Sequence, residues 1–176
     1  MRVAGVACAL VAGLSASAHA DDVTLTYGID IGAAAMRESH AGTTTRFYAG
    51  FAFGASAGVK VSPTLDVSLR LLAVRGGDAE VEGDFHHVTT TFLGPRIEFR
   101  PATSLELGLG FGAGAFDDPR RVGYAADLRV GYAIRRAGHD EVTVAVESML
   151  SFVPQSEARD ARDVVNVAVL VGYRRR

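Results

Sequence analysis

The sequence predicts an all-β protein, an eight-stranded antiparallel up-and-down transmembrane β-barrel. Three observations support this fold class. Along most of the chain, apolar residues alternate with small or polar ones at the two-residue period of a strand. The connections between these stretches are alternately long and short. The N-terminus has the pattern of an export signal.

Residues 104–116, SLELGLGFGAGAF, show the pattern most clearly. Successive side chains of a strand point to opposite faces, so one face carries only apolar residues and the other carries Glu106 and four glycines. Glycines repeatedly exposed on a soluble sheet would be unfavourable, because glycine loses entropy on folding and packs against nothing. In a narrow polar lumen, glycines make room for long side chains from neighbouring strands. The stretch therefore predicts a barrel with its apolar face outward.

The N-terminal segment is typical of a secretory signal peptide. It combines one basic residue, Arg2, with an apolar run and the small-residue ending Ala18-His19-Ala20, which predicts cleavage between Ala20 and Asp21. The expected organisation is a cleaved signal peptide, 1–20, and a barrel domain, 21–176. Cys8 is the one cysteine of the chain, so the mature protein is expected to have neither a disulfide nor a thiolate metal site.

Charge and hydropathy narrow the function classes. The formal net charge is −2, which gives no electrostatic case for binding nucleic acid. Beyond the signal peptide no apolar run reaches the roughly 20 residues of a membrane helix. If the mature chain enters a membrane, it must therefore do so as a closed barrel, in which every backbone polar group is paired.

The other strands follow the same alternation. The predicted strands are 23–36, 46–61, 65–74, 85–100, 104–116, 122–135, 140–153 and 164–173. Short turns follow strands two, four and six, and longer polar loops (37–45, 75–84, 117–121 and 154–163) follow strands one, three, five and seven. An even strand number places both termini on the side of the short turns, which is periplasmic in bacterial barrels. Pro95 cannot donate to a ladder, so we expect a bulge or local distortion there.

Aromatic residues on the outward face are expected to form girdles at the two membrane interfaces. These residues are Tyr27, Phe47, Phe99, Tyr132, Phe152 and Tyr173.

On this strand code, loop alternation and signal peptide, the mature chain resembles the small eight-stranded outer-membrane barrels, the OmpX type and the transmembrane domain of OmpA. The resemblance implies a cell outer membrane location, contact with outer-membrane lipid and lipopolysaccharide, and insertion by the barrel-assembly machinery. It also implies a monomer whose loops meet an extracellular partner. The last strand of that family commonly ends in an aromatic residue. Tyr173 fits, but Arg174, Arg175 and Arg176 follow it, which is a departure.

Charged residues at inward positions define the candidate site. They are Asp30, Lys60, Asp66, Arg70, Arg96, Glu98, Glu106, Asp127, Arg129, Arg135, Glu141 and Glu147. Three-residue turns would place Arg129 opposite Glu147, Arg135 opposite Glu141 and Lys60 opposite Asp66, and opposite charges across a ladder attract. Eight strands leave an interior just wide enough for side chains, so we interpret the charges as a structural plug. The alternative is a narrow proton or ion path, or a gate.

No catalytic, metal or cofactor site is expected. Glu147 and Ser148 are adjacent but face opposite sides of a strand, so they cannot share a catalytic site. His86 and His87 could bind a metal together with the acidic loop that precedes them, but such a charged run is more commonly solvated.

Two alternatives to a structural or interaction barrel remain open. The first is a secreted or periplasmic lipocalin-like barrel that binds a small apolar ligand, because periodicity alone does not say which face is inside. The second is a narrow pore or a lipid-modifying barrel enzyme.

Overall fold

A computed structural model describes residues 24–40, 45–77, 87–101, 104–116, 121–154 and 161–176. Eight strands form a closed antiparallel barrel in sequence order, in which β8 pairs with β1. The strands are β1 (Thr24–His40), β2 (Thr45–Ser62), β3 (Leu65–Gly77), β4 (His87–Phe99), β5 (Leu105–Phe116), β6 (Val122–Ala137), β7 (Asp140–Val153) and β8 (Arg162–Arg175). The predicted strand number, strand order and fold class are confirmed.

The apolar face of the barrel points outward. Along β5, Leu105, Leu107 and Leu109 are exposed, whereas Glu106 and Gly108 between them are buried. The other strands show the same polarity, with large apolar side chains on the outer wall and buried charges within. A soluble calyx needs the reverse arrangement, so the lipocalin-like orientation is wrong. An outer wall of this composition is the surface of a barrel that spans a bilayer.

The strands are longer than predicted at the end of the barrel that carries the longer connections. β1 continues to His40, and its Arg37 pairs with Phe47 of β2 and Val165 of β8. Residues 37–40 were predicted to be part of a loop because they are polar. In the structure, backbone pairing continues through them, past the apolar band. The connections after the odd-numbered strands then hold four, nine, five and eight residues, against two, five and two after the even-numbered strands. The predicted alternation of long and short connections is thus weaker than the sequence suggested.

Pro95 produces no bulge, but the expected local distortion is present on one side of β4. Pro95 lies opposite Leu69 in an unshifted β3–β4 ladder. On the other side, pairing with β5 is interrupted at Gly94 and Pro95 and resumes in the same register. The register instead shifts at two places that the sequence did not indicate, between Lys60 and Ser62 in β2 and between Ala133 and Arg135 in β6.

The turn after β6 is shorter than expected. It consists of Gly138 and His139, and Gly138 has a φ of 63°, which glycine adopts without steric cost. The short turn and the register shift in β6 together place Arg136, rather than Arg135, opposite Glu141.

Two predictions fall on parts of the chain outside the described residues. They are the signal peptide with its cleavage between Ala20 and Asp21, and the metal-site alternative at His86 and its acidic loop. Within the described ranges, no helix is long and apolar enough to cross a membrane.

A lipid-facing charge tests the outward polarity of the wall. Leu109→Arg on β5 should lower the free energy of unfolding by about 2–4 kcal/mol, because it places a guanidinium deep in the apolar band. Val61→Arg, near the short-turn end of β2, should cost only about 0–1 kcal/mol. Both side chains are about half exposed, at 50%. Urea titration of the protein folded in lipid vesicles measures both, and equal small costs would contradict an outward apolar band.

Candidate functional site in the barrel lumen

The lumen divides into two halves along its axis. The half near the chain termini holds charged side chains joined by ion pairs, and the half near the longer connections holds a cluster of buried apolar side chains. Among the residues that the structure describes, the ion pairs of the first half, termed the charge network, join seven carboxylates to seven arginines. Its members are Asp30, Asp66, Glu98, Glu106, Asp127, Glu141, Glu147, Arg70, Arg96, Arg100, Arg129, Arg136, Arg174 and Arg176.

Glu147 of β7 accepts hydrogen bonds from arginines of three other strands. Arg70 donates to it through both Nε, at 2.9 Å, and Nη2, at 2.7 Å. Arg129 donates to it at 2.8 Å and Arg96 at 3.3 Å. All four side chains are fully buried. Glu147 therefore holds β3, β4 and β6 to β7 across the lumen.

Asp30 completes a ring around this centre. Its carboxylate accepts from Arg70 Nη1 at 2.5 Å and from Arg129 Nη2 at 3.0 Å. Arg129 also donates through Nε to Glu106 at 2.7 Å. β1 and β5 are thereby joined to the same group of charges.

A second layer lies closer to the chain termini. Glu98 accepts from Arg96 and Arg174, and from Arg100 Nη2 at 2.7 Å. Arg100 also lies 3.2 Å from Asp66, and Arg174 lies 3.0 Å from Glu106. These contacts bring β8 into the charge network.

Glu141 forms the rim of the charge network. It lies 3.2 Å from Arg100 and 2.8 Å from both Arg136 and Arg176. Seven carboxylates thus face seven arginines within the charge network. Such balance matters because an unpaired charge in a dry interior is very costly.

Inward glycines make the space that the long side chains occupy, as the sequence predicted. A Cβ on Gly54 would meet the guanidinium of Arg70, and a Cβ on Gly172 would meet Asp30 Oδ1. At Gly108 it would lie 3.3 Å from both Arg129 Cβ and Arg96 Cδ. These glycines are part of the packing of the charge network.

The apolar half of the lumen was not predicted. Its buried cluster, termed the apolar layer, includes Met36, Tyr48, Leu72, Val74, Phe92, Phe116, Met149, Val153, Val164 and Leu170. Two side-chain hydrogen bonds lie beside it: Tyr48 donates to Glu38 at 3.0 Å, and Asn166 donates to Thr90 at 3.1 Å. Asn166 Oδ1 and Ser151 Oγ are buried there without a hydrogen-bond partner among the described residues. The alternation in the sequence placed these residues on the inward face, but it did not predict that they form an apolar cluster.

Of the twelve predicted lumen charges, ten are buried inside the barrel and two, Lys60 and Arg135, are exposed. The ladders place Arg129 opposite Glu147 and Lys60 opposite Asp66, as expected. The Lys60 side chain, however, lies at the open end of the barrel, and Arg135 is turned away from the lumen by the register shift in β6. The structure thus corrects the predicted lumen positions of these two side chains.

Sequence reasoning missed four arginines of the charge network: Arg100, Arg136, Arg174 and Arg176. Arg100 already lay at an inward position of the predicted strand 85–100 but was not counted among the lumen charges. For Arg174, the alternation of β8 carried one residue beyond Tyr173 was a usable signal. Three arginines follow Tyr173, in departure from the family pattern. The first of them, Arg174, lies in the lumen and forms ion pairs there, so these arginines are not simply a tail.

The charge network leaves little room for a ligand. The space lined by Glu98, Arg100 and Arg174 at the terminus-end mouth has a volume of about 10 Å³, near the minimum for one water molecule. Among the described residues, no group of histidine, cysteine or acidic side chains could hold a metal ion. The arrangement joins the strands across the lumen.

Comparison with known proteins agrees with this architecture. No protein-family model matches the sequence, and no curated protein matches it. Among solved structures, Neisserial surface protein A aligns with a TM-score of 0.58 at 12% identity, over 88% of this chain and 99% of that one. Ail, the attachment invasion locus protein of Yersinia pestis, aligns at 0.62 with 13% identity, over 85% and 97%. Ail in complex with the heparin analogue sucrose octasulfate aligns at 0.56 with 16% identity, over 85% and 98%. The fold is that of the small eight-stranded outer-membrane barrels, which confirms the fold implied by the resemblance.

Removing the negative charge of Glu147 tests the charge network. Glu147→Gln leaves three buried arginines short of one negative charge, so it should lower the free energy of unfolding by about 3–5 kcal/mol. The adjacent Ser148→Ala, on the lipid-facing side of β7, should change it by less than about 0.5 kcal/mol. Urea titration in vesicles measures both. A cost for Glu147→Gln as small as that for Ser148→Ala would mean that the charge network does not hold the barrel together.

Proposed function

We propose that this chain is an integral barrel of the outer membrane with a closed lumen, and that its role is structural or in interaction, with the loops as the contact surface. The observation that carries the proposal is that both halves of the lumen are filled. The chemistry available for contact therefore lies on the outside of the barrel and at its loop end.

The filled lumen argues against a channel. A permeating ion would have to break the contacts of Glu147 with three arginines and then pass the apolar layer, where Leu72, Val74 and Phe92 are almost completely buried. Eight-stranded barrels have little interior space to begin with. The interpretation of the charges as a plug is therefore favoured over a proton or ion path.

The same packing argues against catalysis. Glu147 is buried in the charge network, whereas its neighbour Ser148 faces outward on β7. Catalysis needs a positioned group with room for a reacting molecule, and the space at the mouth of the charge network holds about one water. We propose no enzymatic activity.

Lipid contact is supported by a groove on the outer wall. It has a volume of about 360 Å³ and lies across β7, β8 and β1 at the loop end, lined by Arg37, Ser39, Leu150, Phe152, Asp163 and Val165. Its apolar floor suits an acyl chain, and the Arg37 guanidinium suits a phosphate group. This combination fits the expected contact with outer-membrane lipid and lipopolysaccharide.

The loops are acidic in sequence. The connections after the odd-numbered strands, residues 41–44, 78–86, 117–121 and 154–161, contain eight acidic residues, Asp78, Glu80, Glu82, Asp84, Asp117, Asp118, Glu157 and Asp160, against three arginines, Arg120, Arg121 and Arg159. A surface of this charge favours partners that carry basic groups. Ail has been solved with a heparin analogue, but a polyanion of that kind is repelled by the loops of this chain. We therefore propose a basic extracellular partner.

Conductance in planar bilayers tests the closed lumen. The folded protein should show no steady openings, because both halves of the lumen are filled. The variant Leu72→Ala/Phe92→Ala/Met149→Ala should stay closed as well, since it removes bulk from the apolar layer but leaves the charge network in place. Steady large openings of the unaltered protein would overturn the plug.

Loop charge is tested with two probes of opposite sign, poly-lysine and sucrose octasulfate. The folded protein should bind poly-lysine and not the sulfated sugar. The variant Asp78→Asn/Glu80→Gln/Glu82→Gln/Asp84→Asn should bind poly-lysine more weakly, with a smaller dependence on salt concentration.

The matched control for the loop variant is Lys60→Gln at the opposite end of the barrel, which should leave poly-lysine binding unchanged. Binding of sucrose octasulfate by the unaltered protein would contradict a basic partner.

A further inference from the structure

Three tyrosines mark one level of the outer wall, near the terminus end of the barrel. Tyr27 of β1, Tyr132 of β6 and Tyr173 of β8 all face outward, and 38–55% of each residue is exposed. Tyrosine is enriched where hydrocarbon meets headgroups, because its ring is apolar and its hydroxyl is polar. These tyrosines therefore indicate where the apolar band ends on this side.

Two arginines face outward beside these tyrosines. Arg175 follows Tyr173 by two residues on the same face of β8, and it pairs with Tyr27 across the β1–β8 ladder. Arg135 follows Tyr132 by three residues and would face the lumen in a regular strand. The register shift between Ala133 and Arg135 turns it outward, which is a common use of a β-bulge.

Both guanidinium groups keep hydrogen-bond donors available. Arg135 forms no ion pair with any residue that the structure describes. The Nε atom of Arg175 lies 4.0 Å from Asp140 Oδ1, too far for a hydrogen bond, and more than half of the side chain is exposed. Asp140 instead accepts from the Tyr173 hydroxyl at 2.6 Å. Because β6 and β8 flank β7, their backbones are about 10 Å apart, so the two arginines face the same stretch of the surrounding leaflet.

We propose that Arg135 and Arg175, with the three tyrosines beside them, form a terminus-end collar that binds the phosphate groups of anionic phospholipids in the periplasmic leaflet. The guanidinium group presents paired donors that match phosphate geometry. An outward arginine is tolerated at an interface, whereas it is costly at the bilayer midplane. The inference rests on the proposed membrane location, and it assigns a lipid preference to the end of the barrel opposite the loops.

Tyrosine fluorescence gives a local readout of this preference. The chain has five tyrosines and no tryptophan. In a Tyr124→Phe background, which removes the tyrosine at the loop end, the outward tyrosines that remain are those of the collar. Quenching by brominated phosphatidylglycerol and by brominated phosphatidylcholine, each diluted with unbrominated phosphatidylcholine, gives the relative affinity of the collar for the two lipids. We expect phosphatidylglycerol to be preferred.

Three variants separate the collar from general charge effects. Arg135→Gln/Arg175→Gln should reduce the preference about fivefold for each arginine removed. Arg135→Lys/Arg175→Lys should keep most of it, because lysine retains the charge. Arg75→Gln, which removes an outward arginine at the loop end, should leave the signal at the collar unchanged.

Equal quenching by the two lipids in the unaltered collar would overturn the proposal, as would a preference that survives Arg135→Gln/Arg175→Gln. Each variant is first checked for a gel mobility that changes on boiling. If the double variant fails this check, the single variants Arg135→Gln and Arg175→Gln decide in its place. Loss of quenching by both lipids, together with loss of the mobility change, would instead contradict the membrane location itself.

Discussion

The pairing of charges inside the barrel is the interaction on which the rest of the structure depends. Glu147 and Asp30 hold Arg70 and Arg129 between them, and a second layer around Glu98 adds Arg96, Arg100 and Arg174. Seven of the eight strands, all but β2, contribute a charged side chain to the charge network. β2 contributes Gly54, whose missing side chain leaves room for Arg70. With carboxylates and arginines paired inside the lumen, the outer wall carries the large apolar side chains.

The two halves of the lumen are filled by different kinds of side chain. Near the termini, long arginines reach across the barrel over glycines and alanines. Near the loops, Met36, Leu72, Phe92 and Met149 fill the same width with apolar bulk. An interior packed in this way excludes solvent and so strengthens the ion pairs. It also concentrates recognition on the outer wall and the loops.

The sequence predicted the fold well because alternation, strand number and chain direction are local properties. An inward residue such as Glu106 can be identified from its two neighbours alone. The sequence failed where position depends on register. Arg135 was predicted to lie inside and lies outside, because one extra residue in β6 inverts the alternation after Ala133. The partners of Arg70, Asp30 and Glu147, are 40 and 77 residues away along the chain, so no sequence spacing could reveal them. Arg174 was missed because three consecutive arginines resemble a tail, whereas strand pairing continues through Arg175.

The most direct test of the central claim is gel mobility of the outer-membrane fraction, with and without boiling, after expression of the full chain. The account predicts a membrane-associated protein that migrates at one position when folded and at another after boiling, because a closed barrel with an ionic core resists detergent until it is heated. A protein that is found soluble in the periplasm, with the same mobility before and after boiling, would contradict the account.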